Sequence, residues 1–91
     1  MRRRIQARIA GRVQGVGFRY YTRQVAVQLG VVGSVRNLPG GEVEAIGEGE
    51  DTALQAFVDA LWQGPHGARV DDVTTAWSEP SGSFKRFDVV A

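Results

Sequence analysis

The apolar residues of this chain change their spacing several times, and the order of these changes is what most constrains the fold. Ile5, Ala7 and Ile9 alternate with polar residues, which predicts a half-buried strand. From Phe18 to Leu29 apolar residues recur at the spacing of a helix, and Gly30 follows as a candidate for the residue that ends it. The chain therefore opens with a strand, a glycine-rich connection and a helix.

Two further strands follow and are predicted to form a hairpin. Residues 31–37 (VVGSVRN) are rich in β-branched side chains, and in residues 42–50 (EVEAIGEGE) Val43 and Ala45 alternate with glutamates. Between them, Leu-Pro-Gly-Gly at residues 38–41 provides turn formers and glycines that tolerate positive φ. The two strands are thus expected to pair antiparallel.

The C-terminal part of the chain is predicted to add a helix and two strands. The helix opens at Asp51, carries apolar residues at helical spacing and ends before the Gly-Pro pair at residues 64–65. Residues 68–77 predict a fourth strand, in which a slip of the apolar phase after Val70 indicates a bulge. After a loop, residues 84–90 predict a short final strand.

This order, β-α-β-β-α-β with a short added strand, is that of the ferredoxin-like α+β fold. We expect one domain, residues 1–91, with an antiparallel sheet and both helices on one of its faces. In this topology the first two strands run parallel with the third between them, so their C-terminal ends lie on the same side of the sheet. The glycine-rich connection after the first strand and Asn37 at the end of the second are therefore expected to converge.

Composition excludes several classes of protein and site. The 91-residue chain has no Cys, which rules out disulfides and thiolate chemistry, and its net charge of +1 provides no overall attraction for nucleic acid. No apolar stretch approaches the ~18–20 residues that span a bilayer, and the N-terminus lacks the apolar region of a signal peptide. We therefore expect a cytoplasmic protein without a membrane or nucleic-acid partner, and nothing in the sequence demands more than a monomer.

The connection GRVQGVGFR, residues 11–19, is predicted to bind an anion of about the size of phosphate. Its three glycines reach positive φ and can turn successive backbone N–H groups toward a ligand. The helix that begins near Phe18 adds free N–H groups and the positive end of its dipole, and Arg19 adds a planar cationic donor. A tight connection with a surface arginine is the simpler interpretation. However, a cation in the first helical turn opposes the dipole, and this conflict favours a bound anion.

The remaining candidate residues are interpreted as structural. His66 is the only histidine and is expected to face solvent, and no cluster of metal ligands surrounds it. Asp71 and Asp72 are interpreted as solvated residues at a strand start, and Trp62 and Trp77 as packing residues. The chain contains neither a P-loop motif nor a complete dinucleotide-binding motif. Because the chain has a single histidine, no cysteine and no cluster of metal ligands, we expect no metal site.

Three segments, GRVQGVGFR, VRNLPGGEVE and GARVDDV, closely resemble the acylphosphatase family, specifically the common type of small acylphosphatase. The resemblance runs from about Ile5 to Val90, and the spacing between VQGVGFR and VRN makes it specific. It implies the ferredoxin-like fold. It also implies hydrolysis of the mixed anhydride between a carboxylic acid and phosphate, without a metal or organic cofactor.

The resemblance assigns roles to individual residues. Arg19 matches the phosphate-binding arginine of the family, and Asn37 matches the asparagine that positions the attacking water. The residues that match the phosphate-binding loop are Gln14, Gly15, Val16, Gly17 and Phe18. From the residues alone, Asn37 would have been interpreted as a turn former at the end of a strand.

Other functions remain open alongside an independent acylphosphatase. One is a non-catalytic anion-binding or regulatory module of the same fold. A related one is the acylphosphatase-like domain that opens larger hydrogenase maturation factors, which the end of the chain at Ala91 disfavours. A third is a nucleic-acid binder that uses the basic N-terminus, for which binding would depend on salt and no turnover would occur.

Overall fold

The computed structural model describes all 91 residues, Met1–Ala91, and contains five strands and two helices in the predicted order. The elements are β1 (Arg2–Arg12), α1 (Phe18–Leu29), β2 (Val32–Asn37), β3 (Val43–Glu50), α2 (Asp51–Gln63), β4 (Arg69–Ser78) and β5 (Phe87–Val89). Gly30 ends α1 with left-handed dihedral angles, as predicted for a helix C-terminus. Neither helix has the length and apolar character needed to cross a membrane.

The strands form one sheet in the order β4-β1-β3-β2-β5. Its four longer strands pair antiparallel, which confirms the predicted ferredoxin-like arrangement. The short strand β5, whose direction the sequence did not indicate, pairs parallel to β2, with Gly33 opposite Phe87. The sheet is therefore mixed: after β4, at one edge, the chain passes to the opposite edge and enters β5 in the same direction as β2.

A bulge interrupts the pairing of β1 with β4. Ala10 pairs with Asp72 and Gly11 pairs with Val70, so Asp71 has no partner on β1. This is the position at which the apolar phase slips in the sequence, and the predicted bulge is confirmed.

The core lies between the sheet and the two helices. Ile5, Ala7 and Ile9 of β1 are fully buried there, as their alternation predicted. Phe57 of α2 packs edge-to-face on Phe87 of β5, with ring centroids 5.8 Å apart, and so joins β5 to the core. The buried apolar residues of the helices are Phe18, Ala26, Leu54, Phe57 and Leu61.

The two tryptophans differ in their environments. Trp77 is half-buried, packs against the core and lies 5.0 Å from the guanidinium carbon of Arg3. Trp62 is 46% exposed near the end of α2, so its interpretation as a packing residue is wrong. Its helical position places the ring on the solvent side of the apolar stripe that carries Leu61.

Two glutamates are buried on the face of the sheet opposite the helices, which the sequence did not indicate. Glu48 is 0% exposed and accepts a hydrogen bond of 2.8 Å from Arg4 Nη1. It also accepts bonds from the Ser81 hydroxyl and from the backbone N–H groups of Ser81 and Gly82. These residues belong to the crossover loop, residues 79–86, so Glu48 fastens this loop to the sheet.

The second buried carboxylate, Glu44, is 6% exposed and is held by side chains of neighbouring strands. Arg36 Nε donates to it at 2.9 Å and Gln6 Nε2 at 2.8 Å. Burial alone would raise the pKa of Glu44, but these hydrogen bonds and the charges of Arg36 and Arg8 lower it. Acidic residues of β3 thus partly neutralise the arginines on this face of the sheet.

Candidate active site

The glycine-rich connection between β1 and α1 leaves the first N–H groups of the helix without protein partners. Gly15 and Gly17 have φ of 74° and 77°, and a Cβ added at either would meet no atom within 4 Å. The left-handed backbone, rather than crowding, therefore requires glycine at these positions. Gly17 caps α1 without a side-chain hydrogen bond, and the first turn contains no acidic residue. This helix end is suited to receive an anion from outside the chain.

Arg19 lies in the first turn of α1 and carries a charge that no acidic side chain neutralises. The only hydrogen bond of its side chain runs from Nη1 to the backbone oxygen of Val90, at 3.2 Å. None of the six ion pairs of the structure involves Arg19. The guanidinium therefore uses one of its N–H donors on the backbone just after β5, and its other donors remain available for a ligand.

Asn37 ends β2 beside the hairpin turn, and Gln14 connects that turn to the glycine-rich loop. Gln14 Nε2 donates to the backbone oxygens of Leu38 and Glu42, each at 2.8 Å. The hairpin and the loop are thus held together although they lie more than 20 residues apart in sequence. The predicted convergence of the loop with the end of β2 is confirmed.

A cleft of about 140 Å³ opens where these segments meet. Its lining residues are Val13, Gly15, Gly17, Phe18, Arg19, Tyr20 and Asn37. Five of them were candidate site residues from the sequence. Gln14 and Val16, also candidates, do not line the cleft, and the side-chain amide of Gln14 is used to tie the loop to the hairpin.

Tyr20 and Val13 were not predicted as site residues. Tyr20 could have been identified from its position directly after Arg19 in the first helical turn, because side chains there lean back toward the helix N-terminus. The signal for Val13 was its place at the start of the glycine-rich connection. Its side chain is 1% exposed, so it supports the floor of the cleft rather than offering a surface.

The other candidate residues lie elsewhere. His66, Asp71 and Asp72 are all exposed, as predicted, and none lines the cleft. No three His, Cys, Asp or Glu side chains are grouped so that they could hold a metal ion. The cleft itself contains one cation, one side-chain amide and a set of backbone N–H donors. Such a set binds a compact anion and orients a neutral molecule beside it.

Comparison with known proteins decides the family. The family model described as acylphosphatase matches residues 5–89, nearly the whole chain. The chain belongs to the acylphosphatase family. An acylphosphatase of Salinibacter ruber is 46% identical over 87 residues, which cover 96% of this chain and 92% of the relative. An acylphosphatase of Thermococcus kodakarensis is 51% identical over 87 residues, which cover 96% and 94% of the two chains.

Solved structures of acylphosphatases share the fold over the same length. The crystal structure of the Bacillus subtilis acylphosphatase aligns with a TM-score of 0.95 at 36% identity, covering 98% of this chain and 99% of that one. The resemblance seen in the sequence is confirmed, and the chain is a hydrolase of the acylphosphatase family.

Proposed function

We propose that this chain hydrolyses acyl phosphates to a carboxylate and inorganic phosphate in the cleft between the β1–α1 loop and the end of β2. One observation carries the proposal. Arg19, which has no acidic partner, and Asn37, which comes from a distant segment, line the same small cleft at the uncapped end of a helix. The cleft thus combines a site for phosphate with a neutral polar group that can orient water.

In the proposed ground state the phosphoryl group is bound by backbone and guanidinium donors. The free N–H groups at the start of α1 and in the loop from Gln14 to Phe18 surround its oxygens, and Arg19 donates from its planar fork. Gln14 contributes by fixing the loop against the hairpin, through its two hydrogen bonds to backbone oxygens. These donors also stabilise the charge on the oxygens as the reaction proceeds.

In the proposed reaction step Asn37 orients a water molecule in line with the leaving carboxylate. Its side-chain oxygen accepts a hydrogen bond from the water while its NH₂ group donates to the phosphoryl group or its surroundings. The water oxygen forms a bond to phosphorus, and the bond from phosphorus to the acyl oxygen breaks with its electron pair leaving on the carboxylate. The lining residues include no carboxylate or histidine, so we assign the proton of the water to a phosphate oxygen.

No strong general acid is needed in this mechanism, because a carboxylate is already a good leaving group. Catalysis then rests on positioning and on charge stabilisation, as in other phosphoryl transfers. The same reasoning limits the substrate class. A phosphate ester, whose alkoxide leaving group is poorer, is expected to bind by its phosphate but to react slowly.

We also propose that the protein works in the cytoplasm as a monomer on a free small-molecule substrate, without a nucleic-acid partner. The net charge of +1 supports the absence of a nucleic-acid partner, because it provides no overall attraction for a polyanion. So does the state of the N-terminal arginines, because Arg4 is paired with Glu48 at 2.8 Å and Arg8 lies 4.0 Å from Glu42.

The experiment that tests the function compares benzoyl phosphate with 4-nitrophenyl phosphate on the purified protein. We expect release of phosphate from the acyl phosphate and little or none from the ester. Binding of inorganic phosphate without turnover of either compound would instead support a non-catalytic anion-binding module. Equal turnover of both would contradict the leaving-group argument.

A further inference from the structure

The volume of the cleft indicates that only part of the substrate enters it. The cleft measures about 140 Å³, well below the ~300–1,000 Å³ of sites that enclose a whole ligand. A phosphoryl group and its bound water occupy such a space. The acyl part of the substrate must therefore lie at the rim of the cleft, where it meets whichever side chains are exposed there.

Tyr20 is the lining residue that offers apolar surface at this rim. The other two apolar lining residues, Val13 and Phe18, are 1% and 2% exposed and belong to the core. Tyr20 is 70% exposed, and its hydroxyl makes no hydrogen bond within the protein, unlike that of Tyr21, which donates to the Ala60 oxygen at 2.8 Å. The ring is thus free to contact a ligand.

The position of Tyr20 on the helix directs its ring toward the phosphate site. It is the third residue of α1, which begins at Phe18. Side chains on a helix lean toward its N-terminus, so a residue in the first turn leans over the end at which the anion binds. In-line attack also places the leaving group away from the water that Asn37 holds. Tyr20 belongs to α1 rather than to β2, so it lies on a different wall of the cleft from Asn37.

We propose that the ring of Tyr20 forms the acyl-binding subsite and makes the enzyme selective for acyl phosphates with a planar or apolar acyl group. The inference rests on the proposed function, since it assigns a contact for the leaving group of that reaction. A flat acyl group stacks on the ring, whereas an acetyl group is too small to cover it. Tyr20 therefore affects the choice between substrates, while the phosphate donors act on all of them alike.

The test is the selectivity of Tyr20→Ala, measured as the ratio of kcat/KM for benzoyl phosphate to kcat/KM for acetyl phosphate. One aromatic contact predicts a fall in this ratio of about 3- to 10-fold. Tyr20→Phe should keep the wild-type ratio, because the ring rather than the hydroxyl makes the contact. The inhibition constant of inorganic phosphate should stay the same, since alanine retains the backbone N–H. Trp62→Ala serves as the matched control, because Trp62 is an exposed helical aromatic that does not line the cleft.

The possible results separate this inference from the function on which it rests. A ratio that is unchanged in Tyr20→Ala, or that falls equally in Trp62→Ala, would overturn the subsite while leaving the hydrolase in place. A weaker binding of inorganic phosphate to Tyr20→Ala would assign the residue to the phosphate loop instead. Wild-type protein that hydrolyses neither acyl phosphate would overturn the proposed function, and the subsite with it.

Discussion

Replacing Glu48 by glutamine is expected to destabilise the fold strongly at neutral pH. The carboxylate is fully buried and accepts four hydrogen bonds, one from Arg4 and three from Ser81 and Gly82 of the crossover loop. A glutamine side chain of the same size keeps one acceptor oxygen but directs an NH₂ group at donors. It also leaves Arg4 without its counter-charge.

The pKa of Glu48 indicates how much stability the substitution Glu48→Gln should cost. Burial alone would raise this pKa, but the hydrogen bonds from the Ser81 N–H, Arg4, the Ser81 hydroxyl and the Gly82 N–H lower it from 4.5 to about 2. At ~1.36 kcal/mol per pKa unit, this shift corresponds to about 3 kcal/mol of stability. Since glutamine retains part of the network, we expect Glu48→Gln to lose about 2–3 kcal/mol, or roughly 10–20 °C in Tm for a domain of this size.

The pH dependence provides the sharper check. Because the pKa is lower in the folded state, the contribution of Glu48 is complete above pH 4.5 and is lost as the pH falls toward about 2. The difference between wild type and Glu48→Gln should therefore shrink over this range. Glu44 titrates in both proteins and cancels in the comparison.

The assay is urea unfolding followed by tryptophan fluorescence at pH 7, 4 and 2.5. Glu50→Gln is the matched control, because Glu50 has a 60% exposed side chain and lies 3.5 Å from the N-terminal amine. Its effect should stay within about 0.5 kcal/mol. A loss below about 1 kcal/mol for Glu48→Gln at pH 7, or an equal loss at pH 7 and pH 2.5, would refute the reasoning.

Two further predictions concern the reaction. Turnover of benzoyl phosphate should be unaffected by dialysis against EDTA, because Arg19 and backbone donors supply the positive charge in the proposed mechanism; a loss that a divalent ion restores would contradict it. Inorganic phosphate and sulfate should inhibit competitively, because the loop is proposed to bind the phosphoryl end of the substrate. Noncompetitive inhibition by both would place the anion site away from the reaction.

The elements of the fold were predictable because their signals are local. Alternation marked β1 and β3, helical spacing marked α1, and Gly30 marked its end. The parallel direction of β5 was not predictable, since it depends on where the crossover loop leads. That path is held by contacts of Glu48 with residues more than 30 positions away.

The burial of charged residues was the main feature that the hydrophobic pattern of the sequence did not predict. Along β3, Glu44 lies between Val43 and Ala45 and Glu48 lies between two glycines, and this alternation predicts exposed positions for both glutamates. They are buried because Arg36, Arg4 and the crossover loop cover them, and these partners come together only in the folded chain. Trp62 shows the opposite case. Its large apolar side chain was interpreted as a packing residue, but its position on α2 leaves it exposed to solvent.

The candidate site was predictable to the extent that topology brings segments together. Two parallel strands separated by one antiparallel strand place the loop after β1 beside Asn37, and the structure confirms this. The tie of Gln14 to the hairpin and the contact of Arg19 with Val90 depend on side-chain directions, which the sequence pattern does not determine.

The central claim is that Arg19 binds the phosphoryl group while Asn37 orients the water. The most direct test measures phosphate binding and turnover together in variants of these two residues. Calorimetry with inorganic phosphate is paired with steady-state kinetics on benzoyl phosphate. Arg19→Ala should lose both binding and turnover, and Arg19→Lys should not restore them, because a point charge does not replace the planar fork. Arg23→Ala is the matched control, since Arg23 lies one turn along α1, donates to the Phe87 oxygen at 3.2 Å and does not line the cleft.

Asn37→Ala should bind phosphate with nearly wild-type affinity and lose roughly 10²-fold or more in kcat, the scale expected when a positioning group is removed. Near-normal turnover in Asn37→Ala, or a loss of phosphate binding as complete as in Arg19→Ala, would contradict the account.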